Sequence, residues 1–424
     1  MDVTIILIVL GLMIVAMISG KFDLGFPPIA AVTVLAALNI VTIPQAFSGF
    51  TNPYLIITAA FLVISNAFSK TPVVSHIQRG VLALQRRTSG VVLFGALILA
   101  VIVLANLMQP GPAVLLTIVL LSTLPPAGPV TARQMLLPLG ALSNLAQGKL
   151  PIGVALLGVV FVNGFLETAG LDSTVGIEHF LLIGLAPIII AIVYMLLTYR
   201  FLPRGPIAAG EGAAEDETEG APLSTFHQIV IYIVFLGVIA AVFFASALGD
   251  YLAVIPVIGV LVLLVTKAMS SQAVRSTLSM SIVFLLAGVF GLAQIMSDKG
   301  VGQALGTGLQ ALMGDAANGW TVVFVFAFAT VLLANLTGSN YGTMFIMAPI
   351  AVTTAAAVGL DPRGIAIAVV FSALSSIILP LDTAIGITFA SGRYKMSTLL
   401  LWTVPLTVVY IAAVCVSAMV VFPT

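Results

Sequence analysis

Two ionisable residues sit inside long apolar stretches of the chain: Lys149 in Gln147-Gly148-Lys149-Leu150-Pro151, and Asp382 in Leu379-Pro380-Leu381-Asp382-Thr383. An unpaired charge at bilayer depth costs about 3 kcal/mol on insertion scales, so such residues mark pathways for ions or charged solutes. Two further segments break the apolar pattern with small amide and hydroxyl side chains. One is Asn106-Leu107-Met108-Gln109-Pro110-Gly111-Pro112, and the other runs from Asn335 through Gly338-Ser339-Asn340-Tyr341-Gly342 to Thr343. Gly and Pro interrupt helices, and lipid cannot satisfy free N–H and C=O groups, so irregular backbone at this depth must be buried in protein or line a cavity. The chemistry that fits is noncovalent. Helix N-termini carry partial positive charge for an anion, while carbonyls at opposing half-helix ends suit a small cation. Ser339, Asn340, Thr343, Gln109, Asn106 and Lys149 are therefore candidates to bind a small anionic solute. Asp382, Thr383, Asn340 and Ser375 are candidates to bind a coupling cation, sodium or a proton. Structural readings compete with each assignment. Ser, Asn and Thr also satisfy re-entrant backbone, Asn144 and Ser143 also suit packing between helices, and Lys149 could snorkel or form an ion pair with Asp382.

The elements that position these residues must be membrane helices. Of 424 residues, 61% are hydrophobic and 7% charged, and the mean hydropathy is +1.24. Apolar runs of about 20 residues, the length needed to cross a bilayer core, recur along the chain, whereas a β-barrel would show short alternating segments. The expected fold is an all-α polytopic membrane protein with about 11 transmembrane helices. A formal net charge of zero without a basic stripe speaks against nucleic acid. The single cysteine, Cys415, excludes disulfide and zinc frameworks, and His76, His179 and His227 have no ligand spacing. HExxH, GxSxG and Walker motifs are absent. The expectation is a protein that is not an enzyme and has no cofactor other than sodium as a coupling ion. The first 20 residues lack a basic start and an A-x-A site and read as a retained helix.

Internal similarity divides the chain. Leu104-Ala105-Asn106-Leu107 recurs as Leu333-Ala334-Asn335-Leu336 at an offset of 229, Ala141-Leu142-Ser143 recurs as Ala373-Leu374-Ser375 at 232, and Ser69 and Ser297 are 228 apart. A duplication follows, with its site expected at the repeat interface. The expected organisation is a first transmembrane helix (1–25), a first transport repeat (26–202), an acidic cytoplasmic linker (203–225) and a second transport repeat (226–424). If 89–125 and 319–357 are re-entrant hairpins, 12 of the 15 Lys and Arg residues fall on one side, with Lys299 and Arg363 opposite and Lys149 within the membrane. The positive-inside rule makes that side cytoplasmic and the repeats inverted, each with a hairpin and a broken helix. Segments 71–87 and 300–314 read as interfacial amphipathic helices. At the offset of 232, Lys149 falls opposite Leu381, beside Asp382.

Ser339-Asn340-Tyr341-Gly342-Thr343 with Pro349, Leu379-Pro380-Leu381-Asp382-Thr383 and Gly392-Arg393-Tyr394-Lys395 resemble the C-terminal half of the divalent anion:sodium symporter family of the ion transporter superfamily. Asn163 to Gly170 resembles that family's segment after its first broken helix. The resemblance covers about 52 to 422 and implies a homodimeric elevator-type symporter of the cell membrane that moves dicarboxylates, citrate or sulfate with sodium. The first half departs from the pattern: Met108-Gln109-Pro110-Gly111-Pro112 replaces the first S-N-T tip, and the G-T-x-x-N loop is missing. The Lys149 ammonium is therefore expected to stand in for one sodium, pairing with the anion or with Asp382. Within transport, the competing readings are an oxyanion exporter and a cation/proton antiporter with Asp382 titrating. A non-transporting membrane scaffold is the distant one.

Overall fold

The computed structural model describes residues 2–19, 21–23, 25–72, 90–107, 110–122, 130–150, 155–207, 223–243, 248–278, 280–302, 304–305 and 318–423. Among them are eighteen α-helices, three short 3-10 turns and no strand. The first half of the chain contains α1 (Asp2–Ile18), α2 (Phe26–Ala37), α3 (Ile43–Ala46), α4 (Pro53–Ser69), α5 (Gly90–Leu107), α6 (Pro110–Ser122), α7 (Ala132–Leu145), α8 (Ala155–Thr168) and α9 (Ile177–Thr198). The second contains α10 (Thr225–Phe243), α11 (Val254–Val265), α12 (Ser271–Thr277), α13 (Met280–Asp298), α14 (Gly319–Thr337), α15 (Asn340–Ala357), α16 (Pro362–Ala373), α17 (Thr383–Gly392) and α18 (Met396–Val421). Proline in the first turn, where its missing N–H costs nothing, starts α2, α4 and α16. Asn52 and Asp361 then cap the first turns of α4 and α16.

Among the described residues, three helices are long and apolar enough to cross a membrane by length and composition: Ile177–Phe201, Gly319–Thr337 and Met396–Val421. By contrast α7 and α8 have 14 residues each, α16 has 12 and α17 has 10. At 1.5 Å per residue these reach at most about 21 Å, well short of a bilayer core. They are the halves of two broken helices, interrupted from residue 146 and at 374–382.

Contacts at the helix ends establish the hairpins and their inversion. Phe94, early in α5, lies with its ring 5.2 Å from Tyr199, and Gly205 N donates to Thr131 Oγ1 just before α7. Helix α5 thus starts, and α7 starts, beside the end of α9, so α5 and α6 turn back between them. Helix α16 begins at the other end: Arg363 lies over the Phe422 ring at 4.5 Å, and that ring is 4.9 Å from His179 at the start of α9. The 22 residues of α9 separate the two starts by about 33 Å, so the broken helices run in opposite senses. Each hairpin packs on the first half of its own broken helix and the second half of the other. The α5–α6 pair packs on α7 and α17, and the α14–α15 pair on α16 and α8. Helices α7 and α17 cross so closely that a Cβ at Gly140 would lie 2.1 Å from Thr388 Oγ1.

The structural register corrects one sequence-based alignment. Helix α7 ends at Leu145 and α16 at Ala373, 228 residues apart, and the backbone N–H groups of Leu150 and Ile378, also 228 apart, meet Asn106 and Asn335. Lys149 therefore corresponds to Ile377, not to Leu381. The Ala-Leu-Ser match at 232 had slipped by four residues, about one helical turn, which keeps small residues on the same helix face. The linker core 208–222, residues 73–87 of the first expected interfacial helix and most of 300–314 lie outside the described residues.

Candidate functional site

Asp382 is the N-cap residue of α17. Its Oδ1 accepts from Ala384 N at 2.9 Å and Ile385 N at 3.4 Å, satisfying first-turn donors that have no intrahelical partner. The same oxygen accepts from Asn144 Nδ2 at 2.8 Å, and Oδ2 accepts from Asn340 Nδ2 at 3.3 Å. Asn144 Nδ2 also donates to Ser376 O at 2.9 Å, and Ser376 Oγ donates to Asn340 Oδ1. The last turn of α7, the first turn of α15, the second helix break and the start of α17 therefore meet in one polar knot. It is closed: Asn144 and Ser376 are 0% exposed, Asn340 8% and Asp382 9%. Asn144 Oδ1 is buried without a hydrogen-bond partner among the described residues. The ion pairs among those residues, Glu178–His179, Asp2–Lys299 and Asp361–Arg363, lie elsewhere. Every donor to the Asp382 carboxylate is neutral, and the neighbouring Asn144 carbonyl oxygen is unused. That donor set suits a proton or a small hard cation.

The tip of the second hairpin supplies the complementary polarity. Gly338 adopts φ +64°, and a Cβ there would lie 2.6 Å from Leu381 O, so the turn requires glycine to approach the second break. Ser339 caps α15 by accepting from Gly342 N at 3.1 Å. Thr337 Oγ1 accepts from Ser339 N at 3.2 Å and shares a 3.1 Å hydrogen bond with Thr343 Oγ1. The N-terminus of an 18-residue helix thus faces the knot through Asn340.

The other expected site residues take different places. Thr383 opens α17 with its methyl group facing Gly111 of the first hairpin. Ser375 Oγ donates to Phe371 O, four residues back in the chain, and its neighbour Ser376 makes the knot contact. Asn106 is fully buried. It donates to Ile102 O at 2.7 Å and Ala146 O at 3.0 Å and accepts from Leu150 N at 3.1 Å. Asn335 repeats the arrangement, donating to Val331 O and accepting from Ile378 N and Leu379 N. Both amides pin a hairpin to a helix break. Gln109 lies outside the described residues.

Lys149 is 1% exposed, and its Nζ has no hydrogen-bond partner among the described residues. The ammonium lies 4.5 Å from the Phe371 ring centre and 5.8 Å from that of Tyr410, and its stem lies against Gly184 of α9. It neither snorkels nor forms an ion pair with Asp382. The four-residue correction of register is the reason, since Lys149 is equivalent to Ile377 and not to a neighbour of Asp382. Gln147, two residues away, donates to Tyr341 OH at 3.2 Å across a small pocket walled by Gly148, Phe161, Phe180 and Met344. Sequence reasoning underrated Asn144 and missed Ser376. The available signal was an amide in the last turn before a helix break and a doubled serine at the other.

Comparison with known proteins bears on the family and the fold. A family model described as "Citrate transporter" matches residues 5–373. The uncharacterized transporter sll0640 of Synechocystis sp. is 26% identical over 165 residues, 39% of this chain and 27% of that protein's length. The YdaH transporter of Alcanivorax borkumensis superposes with a TM-score of 0.62 at 15% identity, over 90% of this chain and 88% of that one. MtrF of Neisseria gonorrhoeae, whose structure is described as illuminating a class of antimetabolite efflux pumps, superposes at 0.63 and 16% identity, over 98% and 94%. The two structural likenesses concern the fold.

Proposed function

We propose a function from the premise that this chain belongs to the citrate transporter family (CitMHS) and is a membrane transporter: it is a secondary active transporter of a small anion such as citrate, a dicarboxylate or sulfate. The observation that carries the reading is the closed knot of Asp382, Asn340, Asn144 and Ser376, where the N-termini of α15 and α17 meet at two helix breaks. A partial positive charge from α15 with Asn340, Ser339 and Thr343 favours an anion. An uncompensated carboxylate beside the free Asn144 oxygen favours a coupling cation, sodium or a proton. Anion and cation then neutralise each other in one site, which lowers the cost of carrying either through the membrane.

Lys149 supplies the charge of one sodium at the first break when the anion is bound. The crossed half-helices and their pinned hairpins would move together, as in elevator transport, in a homodimer of the cell membrane with the Arg-rich side cytoplasmic. The motif resemblance to the divalent anion:sodium symporters supports sodium as the coupling ion. Thermal stability of the purified protein is the test. Citrate, succinate or sulfate should raise the Tm in sodium and not in potassium at fixed pH, and no shift with any of these anions under either cation would reject anion transport. Export is a second reading, favoured by the fold shared with MtrF. In inside-out vesicles it would appear as solute accumulation driven by an imposed ion gradient.

A further inference from the structure

Four cations converge where α7 begins, α17 ends and α18 begins. The Arg133 guanidinium donates to Arg393 O at 2.6 Å and lies 5.7 Å from the Tyr394 ring centre. Arg133 N donates to Gly205 O, next to Arg204, and Lys395 is the N-cap residue of α18. Tyr394 OH ties the cluster together, donating to Arg133 O and accepting from Leu137 N at 3.1 Å. Arg204, Arg393 and Lys395 are exposed, and none of the four cations has a carboxylate partner among the described residues. Two of them also stand where a helix dipole disfavours positive charge, Arg133 in the first turn of α7 and Lys395 at the start of α18. The positive-inside rule accounts for their side of the membrane, but neither for this convergence nor for those positions.

The surroundings have the residue types of a membrane interface. Trp402 donates to Thr198 Oγ1 at 3.0 Å and accepts from Tyr194 OH at 2.9 Å, forming an amphipathic aromatic pair of the kind found at headgroup level. Leu197, Phe201 and Leu401 are 68%, 84% and 78% exposed beside it, as lipid-facing side chains are. We propose that Arg133, Arg204, Arg393 and Lys395 form a binding site for the phosphate of an anionic membrane lipid. The lipid supplies the missing counter-charge at the ends of the two half-helices that carry Asn144 and Asp382. This inference does not depend on the transported solute.

Native mass spectrometry of the full-length protein tests it, with phosphatidylglycerol and phosphatidylcholine supplied in equal amounts. The Arg204→Gln/Lys395→Gln variant changes two exposed side chains that make no hydrogen bond among the described residues, and an unchanged lipid-free Tm verifies its fold. The wild type should retain phosphatidylglycerol preferentially, and the variant should lose about fivefold of that preference per charge removed. Equal retention of the two lipids by the wild type, or an undiminished preference in the variant, overturns the proposal. Displacement by excess inorganic phosphate would also overturn it, assigning the site to a soluble anion. So would a preference that appears only after deletion of residues 208–222, which would assign the site to the acidic linker.

Discussion

Asp382 combines two roles that substitution can separate. As an N-cap it accepts two backbone N–H groups, and as a buried carboxylate it meets only neutral donors. Asparagine caps helices as well as aspartate does. Asp382→Asn should therefore lower stability by less than about 1 kcal/mol, yet reduce cation-dependent uptake at least tenfold, as a transport assay across a sodium or pH gradient would reveal. Uptake with unchanged cation dependence would exclude Asp382 from coupling. Lys149 invites the converse experiment. An unpaired amine between Phe371 and Tyr410 leaves its buried N–H groups without partners, at about 1–3 kcal/mol. Lys149→Met should thus raise the Tm while impairing transport or changing its cation stoichiometry, and a lowered Tm would mean that the charge is structurally required.

At the scale of elements, the two breaks are held open by matched amides. Asn335 accepts from Ile378 N and Leu379 N, and Asn106 from Leu150 N. Alanine at either position leaves half-buried backbone donors unsatisfied, at up to about 1–3 kcal/mol per group. Both variants should melt measurably earlier, Asn335→Ala the more so because it orphans two N–H groups. Helix starts outside the membrane core obey ordinary electrostatics. Burial pushes the Asp361 carboxyl up, but the hydrogen bonds and charge of Arg363 outweigh it and hold the group below the usual aspartate range. A carboxyl depressed in the folded state stabilises above its unfolded pKa, about 4, and that stabilisation is lost as pH falls through the lower folded value. Between pH 5 and pH 3 the wild-type Tm should accordingly fall more steeply than that of Arg363→Gln.

For the whole molecule, the contacts that bring Arg133, Arg393 and Gly205 together at one end, and Arg363, His179 and Phe422 at the other, make the inversion testable. Cys415, the chain's single cysteine, is buried, so single cysteines can be introduced with little background. A membrane-impermeant thiol reagent should label residue 70, after α4, from one side of the membrane and residue 299, after α13, from the other. Labelling of both from the same side would be incompatible with antiparallel repeats.

Composition alone determined the solvent and hence the helical class, because only helices or closed barrels satisfy backbone in lipid and the apolar runs are too long for barrel strands. Gly and Pro among apolar residues marked the breaks, and Lys and Arg counting marked the hairpins, since both report local backbone and insertion physics. Tertiary structure decided which polar residues meet. Asn144 looks like a packing amide until α7 is seen to end against Ser376 and Asp382. Lys149 looks like a partner of Asp382 until the hydrogen bonds of Asn106 and Asn335 set the repeat register at 228. A shift of about one helical turn preserves a helix's face and its hydrophobic pattern, so sequence periodicity does not detect it. Directional hydrogen bonds between distant segments remove that degeneracy.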